Sequence, residues 1–422
     1  MASFIVAPIR ARRMADKVVP KTAPLPLSRA VPLLLLSLLC FSSLFFLFSS
    51  LRNADPFVDK SHSSVAREVK ENPNRSCSYS DGFWVRDERA RMRYDGTCKE
   101  IFKGWNCMSS GKANAHDLVK WRWRPRDCDL PPLDPVWFLE RFRDTNIGFV
   151  GDSLNRNMFI SLVCTLKQVS NEVKKWRPAG ADRGFTFLQY NLTVAYHRTN
   201  LLARYGSWSP NGDAGVLESL GYKRGYRVDV DVPERTWAEA PNFHDIIIVN
   251  TGHWWRAPSK FDPVHSPMIF FEGDSPVLPP ISPEAGLDLT LKHMILFIEE
   301  KMGPDAPKIF CTQSPRHFEG GDWNEGGSCQ RLQPLSSQEV ENLYSLERNG
   351  TNVEARQLNQ HVYKALESST FRILEVTQMS EFRADAHPSI AGGKKHEDCM
   401  HWCLPGITDV WNDLLVANLK DL

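Results

Sequence analysis

Four potential metal ligands lie within eight residues near the C-terminus: His396, Cys399, His401 and Cys403, in the segment HEDCMHWC. Cysteine and histidine at such short spacings are typical ligands of structural zinc sites. The same segment places Asp398 three residues before His401, and a carboxylate so placed could orient a histidine base that activates a serine. Two kinds of chemistry are therefore open here, and the compartment in which the cysteines fold decides between them.

The N-terminal segment indicates that compartment. Residues 31–51 form an uncharged apolar run that, at about 1.5 Å per residue, could cross a bilayer core of about 30 Å as a helix. A cleaved signal peptide is the alternative, but the run is longer than a usual signal core and lacks a clean small-x-small cleavage site. Residues 1–30 are mostly basic where they are charged, so they should remain cytosolic. We expect a type II membrane protein with one transmembrane helix and a lumenal part after residue 51.

Cysteines in a secretory lumen usually form disulfides. Of ten cysteines, Cys40 lies in the apolar run, and the odd number that follows leaves at least one thiol free. An oxidising lumen argues against thiolate ligands at Cys399 and Cys403, so we expect no metal site. The net charge of +1 provides no basic field for nucleic acid. Three N-glycosylation sequons agree with a lumenal location, at Asn74, Asn191 and Asn349.

An alternation of apolar runs and helix-like stretches begins near residue 146. Short, non-alternating apolar strands separated by helices predict an α/β fold with a parallel sheet covered by helices. Residues 52–75 are polar and predict a lumenal stem, and residues 76–145 predict a Cys- and Trp-rich lobe held on by disulfides. Residues 146–422 form the predicted α/β region, where we expect a functional site. The expected strands are at 146–153, 245–252, 308–315 and 372–377, and the expected helices are at 154–167, 284–302 and 353–369.

Polar residues end the first two of these strands, where parallel sheets collect their chemistry. Ser153 follows Gly151 and Asp152 at a predicted helix N-terminus, whose free N–H groups could stabilise an oxyanion. Asn250 and Gly252, at the end of the second strand, are suitable donors to the same oxyanion. The alternatives are a serine N-cap and ordinary turn residues.

The order of these blocks, with Ser first, Asn-Gly in the middle and Asp-x-x-His last, resembles the SGNH/GDSL hydrolases. Four longer stretches resemble the plant trichome birefringence-like family over roughly residues 76–420: CSYSDGFWVRD, the segment from VKWRWRPRDCDL to GDSLNRN, VNTGHWW and DCMHWCLPGITDVWNDLL. The resemblance implies a Golgi type II enzyme that O-acetylates cell-wall polysaccharide. Two departures are the GKAN at residues 111–114 and Thr408, and the first puts the acceptor in doubt.

The resemblance also implies roles for particular residues. Ser153 would be the nucleophile, His401 its base and Asp398 the orienting carboxylate, with Arg156 and Asn250 lining the acyl pocket. Rings beside these blocks could stack on sugars or pack the walls of the site, namely Trp254, Trp255 and Trp402. The implied disulfides are Cys77–Cys128, Cys98–Cys164, Cys107–Cys403 and Cys329–Cys399, with Cys311 left as a free thiol.

The expected reaction is a ping-pong acetyl transfer through an acetylated Ser153. We expect no bound cofactor, because the acetyl donor is a co-substrate, supplied directly or by a membrane protein. The acceptor is expected to be a cell-wall polysaccharide, with xylan as the first choice and mannan, xyloglucan and pectin left open. A lumenal acetylesterase would use the same residues, and a non-catalytic protein that binds or bridges polysaccharide is the third hypothesis.

Overall fold

The computed structural model describes residues 77–210, 215–257 and 260–420. The expected cytosolic tail, transmembrane segment, stem and Asn74 lie outside these ranges. Within them, no helix is both long enough and apolar enough to cross a membrane.

A seven-stranded sheet forms the centre of the fold. Its strand order is β13-β12-β9-β3-β6-β5-β4. The five strands from β13 to β6 are parallel, while β5 and β4 continue the sheet antiparallel. The strands are β3 (Asn146–Gly151), β4 (Val173–Trp176), β5 (Arg183–Phe187), β6 (Leu192–Arg198), β9 (Ile246–Val249), β12 (Lys308–Cys311) and β13 (Arg372–Leu374).

The expected parallel sheet is therefore present, but two antiparallel strands that were not expected extend it. A four-stranded mixed sheet, in the order β11-β10-β8-β7, was also missed. Its strands are β7 (Ala203–Trp208), β8 (Gly225–Pro233), β10 (Met268–Glu272) and β11 (Ser275–Pro276). Edge strands exposed to solvent lack the continuous apolar run that marks a strand buried on both faces, and β4 is exposed along most of its length.

Helices cover both faces of the central sheet. Successive residues of β3 and β9 point to opposite faces, so Ile147 and Ile248 join one apolar cluster while Val150 and Val249 join the other. Helices α2 and α9 pack in the first cluster, and α5 and α7 pack in the second. The helices are α1 (Pro135–Arg141), α2 (Ser153–Leu166), α3 (Val216–Ser219), α4 (Ala240–Phe243), α5 (Pro283–Met302), α6 (Ser337–Tyr344), α7 (Glu354–Leu366), α8 (Thr377–Glu381) and α9 (Ile407–Lys420).

The Cys- and Trp-rich segment packs into the first apolar cluster, which contains every buried apolar residue that the structure describes between residues 77 and 145. It contains one antiparallel strand pair, β1 (Gly82–Arg86) with β2 (Trp121–Pro125). The disulfides join the pairs that the resemblance implies: Cys77–Cys128, Cys98–Cys164, Cys107–Cys403 and Cys329–Cys399. Cys311 is a buried free thiol whose pKa is raised by burial, so it is an inert core residue.

Candidate active site

Ser153 follows the carboxyl end of β3, the central strand of the seven-stranded sheet, which pairs with β6 on one side and with β9 on the other. The chain leaves β3 at Gly151, and Asp152 caps α2 by accepting a hydrogen bond from the N–H of Leu154 at 2.9 Å. A Cβ atom at Gly151 would lie 1.8 Å from Oδ1 of Asn250, so only glycine fits this turn. The turn makes Ser153 the first residue of the helix and leaves its side chain partly exposed.

A chain of hydrogen bonds joins Ser153 to a carboxylate through a histidine. His401 Nε2 lies 2.7 Å from Ser153 Oγ, and His401 Nδ1 lies 2.9 Å from each oxygen of Asp398. Because a carboxylate can only accept, Nδ1 carries the proton and Nε2 is left to accept the hydroxyl proton of Ser153. The geometry is that of a serine activated by a base and an orienting carboxylate.

The charge of Asp398 is stabilised by two partners. Burial alone would raise the pKa of this carboxyl, but hydrogen bonding to His401 and the ammonium of Lys394 hold the pKa well below its usual range. Asp398 therefore remains an acceptor at any pH near neutrality. An anionic Asp398 in turn stabilises the imidazolium that forms when His401 takes a proton.

The loop that carries His401 is held from several directions. Cys399 and Cys403 form disulfides on either side of it. Asn157, one turn after Ser153 on α2, exchanges two hydrogen bonds with the backbone of Trp402, at 2.7 and 3.2 Å. Since α2 also carries Ser153, these bonds fix the distance between nucleophile and base.

This arrangement also answers the zinc hypothesis. The sulfurs of Cys399 and Cys403 are each bonded to another cysteine, so neither can serve as a thiolate ligand. His401 uses both ring nitrogens in hydrogen bonds, and His396 is exposed. The HEDCMHWC segment therefore has the arrangement expected for activation of a serine rather than for binding of zinc.

Two residues form a wall behind His401. The ring of Trp105 lies 5.1 Å from the ring of His401, and the guanidinium of Arg156 lies 4.8 Å from the ring of Trp105. Burial lowers the pKa of Arg156, and its Nε has no hydrogen-bond partner within the described chain. The sequence pointed to Arg156 but not to Trp105, whose position depends on the long-range disulfide between Cys107 and Cys403.

One expected oxyanion donor, Asn250, is hydrogen-bonded to the serine turn and therefore has a second role. Asn250 Nδ2 donates to Asp152 Oδ1 at 2.9 Å, and Asn250 Oδ1 accepts from the N–H of Asp152 at 3.1 Å. Asn250 therefore holds the serine turn in place and has one amide proton left for a substrate. Gly252 is pressed against Gln313, whose Oε1 would lie 1.9 Å from an added Cβ.

Two of the three tryptophans expected near a sugar are core residues. Trp255 is buried, stacks on Phe270 and donates to Thr251, and Trp402 is buried against His387. In the sequence, Trp255 and Trp402 adjoin the VNTGHWW and DCMHWC segments, but this position alone did not show whether each ring packs in the core or contacts a sugar. Trp254 is half-buried and lines a cleft of about 440 Å³.

A second, smaller pocket of about 50 Å³ adjoins Met400, next to His401. His253 lines it, and burial lowers the pKa of His253 to about 3, so its ring is neutral at pH 7. The half-exposed Trp323 lies on the same pocket and was missed from the sequence, because nothing in its neighbourhood marks a site. Asn191 and Asn349, the two sequon asparagines that the structure describes, are exposed.

Comparison with known proteins identifies the family of the chain. Residues 130–418 match a model described as a GDSL/SGNH-like acyl-esterase family found in Pmr5 and Cas1p, and residues 75–129 match the PMR5 N-terminal domain. The fold is thus an SGNH-like α/β fold, as expected, although its sheets are mixed.

Relatives from Arabidopsis thaliana cover most of the chain. Protein trichome birefringence-like 13 is 61% identical over 92% of this chain and 96% of its own length. Protein trichome birefringence-like 12 is 41% identical, with 82% and 86% covered. Xyloglucan O-acetyltransferase 1 is 31% identical, with 82% and 80% covered. The chain therefore belongs to the trichome birefringence-like family, with a catalytic region of the GDSL/SGNH acyl-esterase type.

Proposed function

We propose that this protein is a polysaccharide O-acetyltransferase that works through an acetylated serine. The observation that carries the proposal is the hydrogen-bonded series Ser153, His401 and Asp398 at the carboxyl end of the central strand. Relatives named xyloglucan O-acetyltransferases support acetyl transfer to a polysaccharide. We take xylan as the first acceptor to test and xyloglucan as the second.

The first half-reaction acetylates the enzyme. His401 Nε2 takes the proton of Ser153 as Oγ attacks the carbonyl carbon of the acetyl donor. The tetrahedral oxyanion is stabilised by the N–H of Ser153, by the remaining amide proton of Asn250 and by the N–H of Gly252. The bond to the donor's leaving group breaks, the leaving group takes the proton from His401, and acetyl-Ser153 remains.

The second half-reaction transfers the acetyl group. A sugar hydroxyl gives its proton to His401 Nε2 and attacks the acetyl-serine carbonyl through the same oxyanion. Ser153 Oγ then leaves with that proton, which restores the starting enzyme. Transfer requires the sugar to be better placed than water, so polysaccharide contacts beside Ser153 decide between transfer and hydrolysis.

The decisive experiment incubates the full-length protein, purified in detergent, with a model acetyl ester and deacetylated xylan or xyloglucan oligosaccharides, and reads products by mass spectrometry. We expect an added acetyl mass on one oligosaccharide class and none with Ser153→Ala. Free acetate with no acetylated sugar would instead indicate an esterase. Oligosaccharide binding with no turnover would indicate a binding or bridging protein.

A matched control exists for the histidine. Asp262 and His265 have the same Asp-x-x-His spacing and a 3.1 Å hydrogen bond between Oδ1 and Nδ1, but both are exposed. His401→Ala should abolish transfer, whereas His265→Ala should leave the rate unchanged. Equal losses in both variants would contradict the assigned base.

We further propose that the protein is a single-pass type II protein of the Golgi membrane, with the catalytic region in the lumen. The uncharged run at residues 31–51, preceded by basic residues, supports this topology. In sealed microsomes the C-terminus should resist added protease, and N-glycosidase should increase gel mobility. Digestion of the C-terminus without detergent would contradict the topology.

A further inference from the structure

The cleft of about 440 Å³ lies beside the serine turn. Strand β6 is the neighbour of β3, with Arg198 paired in register with Gly151, and the N–H of Thr199 donates to the carbonyl of Gly151 at 2.9 Å. Arg198 and Thr199 line the cleft, and so does Trp254, two residues after Gly252. The cleft therefore borders the turn that carries Ser153.

The charges that line the cleft are mainly positive. Arg177, Arg198 and Lys260 line it, and none of the three forms an ion pair with any residue that the structure describes. Two carboxylates also line the cleft, Asp182 and Glu234, but Asp182 is already bridged by Arg183 at 3.0 Å. Only one carboxylate remains to balance three cations, so the cleft would attract an anionic group.

Lys260 is held in a way that directs charge into the cleft. Its ammonium lies 4.8 Å from the ring of Tyr205 and 5.1 Å from the ring of Trp254, and it donates to the hydroxyl of Tyr205 at 3.2 Å. Asn200 Nδ2 donates to the same hydroxyl at 2.7 Å. A phenol that accepts two hydrogen bonds still has its own proton to donate. Tyr205 and Lys260 together thus offer donors to an anionic oxygen.

Glu234 adds an acceptor on the same cleft. Its Oε2 is buried with no hydrogen-bond partner in the described chain, and burial raises the pKa of this carboxyl. A sugar hydroxyl would satisfy this oxygen by donating a hydrogen bond to it. The mixture of cations, one acceptor and the half-buried ring of Trp254 suits an acidic sugar.

We propose that this cleft binds an acidic sugar unit of the acceptor, with its carboxylate held by Lys260, Tyr205 and Arg198. This inference rests on the proposed function, since it names the class of polysaccharide that reaches Ser153. Trp254 packs on the face of the sugar ring, and Glu234 accepts a hydrogen bond from one of its hydroxyls. A neutral glycan lacks the group that these cations recognise.

The test measures binding by calorimetry with full-length Ser153→Ala protein in detergent, which needs no acetyl transfer. The probes are a glucuronate-substituted xylo-oligosaccharide and an oligogalacturonide, each compared with its own carboxyl-reduced form. We expect at least one acidic probe to bind about tenfold more tightly than its reduced form. Equal affinities of both pairs would overturn the proposal.

Variants then locate the site. Lys260→Gln, Arg198→Gln and Tyr205→Phe, each made in the Ser153→Ala protein, should each reduce the preference for the acidic probe to about threefold or less. Lys174 is the matched control, because it also lies over a tryptophan ring, Trp176 at 5.5 Å, but outside the cleft. Lys174→Gln should retain the full preference. A preference that survives in every folded cleft variant would overturn the assignment to this cleft.

The phosphate groups of an acetyl donor are also anionic and could bind the same cations. A third titration distinguishes a donor phosphate from an acidic sugar as the ligand of the cleft. Acetyl-coenzyme A, added to the same proteins, should bind no more weakly to the cleft variants than to the parent. If its binding is lost and the acidic-sugar preference is retained, the cleft is a donor site and the proposal is wrong. Because the probes are tested without turnover, sugar binding without transfer would refute only the proposed function.

Discussion

At the scale of single residues, a substitution of Asp398 tests the orientation of His401 while Ser153 and His401 themselves remain present. The two oxygens of Asp398 hold the Nδ1 proton of His401, and Lys394 helps to keep the carboxyl ionised. An asparagine of the same size would present an N–H or a neutral oxygen in place of this charge. The imidazole could then turn or change tautomer, and the charge that stabilises the imidazolium would be lost.

Asp398→Asn should therefore lower kcat for acetyl-ester turnover by about 10³-fold or more, with little change in the melting temperature. Steady-state rates and thermal unfolding monitored by circular dichroism check this. Asp262→Asn, at the exposed Asp-x-x-His pair, should retain the parent rate. A loss of less than about tenfold at Asp398 would show that His401 is oriented by other contacts.

The glycine of the serine turn leads to a second prediction at this scale. A methyl group at residue 151 would overlap Asn250 Oδ1 and approach its backbone oxygen to 2.7 Å, so β3 and β9 would have to separate there. Gly151→Ala should break the paired hydrogen bonds between Asp152 and Asn250 and displace Ser153 from His401. We expect at least a 10²-fold loss of kcat.

A suitable comparison for Gly151→Ala is Gly206→Ala, because an added Cβ at Gly206 meets nothing within 4 Å. Gly206→Ala should be active. Crystal structures or reactivity of Ser153 towards a fluorophosphonate would report whether the serine has moved. Unchanged labelling of Gly151→Ala would contradict the steric argument.

At the scale of elements, disulfides anchor the loop that carries Asp398 and His401, because this loop contains little regular structure of its own. Cys329–Cys399 closes a separation of 70 residues and ends one position after Asp398. Cys77–Cys128 closes a comparable 51 residues within the N-terminal segment. Loop-closure entropy should make the two bridges contribute similarly to stability, about 4 kcal/mol each. Their effects on catalysis should differ.

Replacing both Cys329 and Cys399 by serine should lower stability and kcat together, because Asp398 loses its neighbouring anchor. Replacing both Cys77 and Cys128 should lower stability by a similar amount while the folded fraction keeps its kcat. Chemical denaturation measures the stability of each double variant. Rates measured at denaturant concentrations well below each unfolding midpoint give the kcat of its folded form. Equal kcat losses per folded molecule would show that the bridge next to Asp398 has no special role in the site.

At the scale of the whole molecule, strands with an unbroken apolar run were predictable, whereas β6 was missed although it is buried along most of its length, because Thr193 and His197 interrupt its apolar run. The runs of β3, β9 and β12 are apolar because neighbours cover both sides, whereas β4 and β7 carry polar side chains into solvent. The serine, histidine and Asp398 were identified from motif order. Trp105, Lys260 and Trp323 could not be, because their places in the site depend on contacts between segments distant in the chain.

Buried histidines give the whole molecule a dependence of stability on pH. His197 and His244 lie 2.9 Å apart between their Nε2 atoms, and His244 packs against Gly148 of β3. Burial lowers the pKa of His197 to about 4 and that of His244 well below its usual value. Burial likewise lowers the pKa of His253 to about 3 and that of His317 to about 4.

A histidine with a lowered pKa in the folded state binds its proton more readily when the chain unfolds. Its contribution to stability is therefore complete above about pH 6.5 and is lost as the pH falls towards 4. Each such group should add up to about 1.4 kcal/mol per pH unit to the slope of the unfolding free energy in that range. His197→Gln should reduce the slope of the unfolding free energy against pH between pH 6 and 4.5. His265→Gln, at an exposed residue, should leave this slope unchanged. Urea denaturation at each pH measures both slopes. A slope that is unchanged in His197→Gln would mean that the pair is protonated in the folded protein, and that acid sensitivity arises at the other buried histidines.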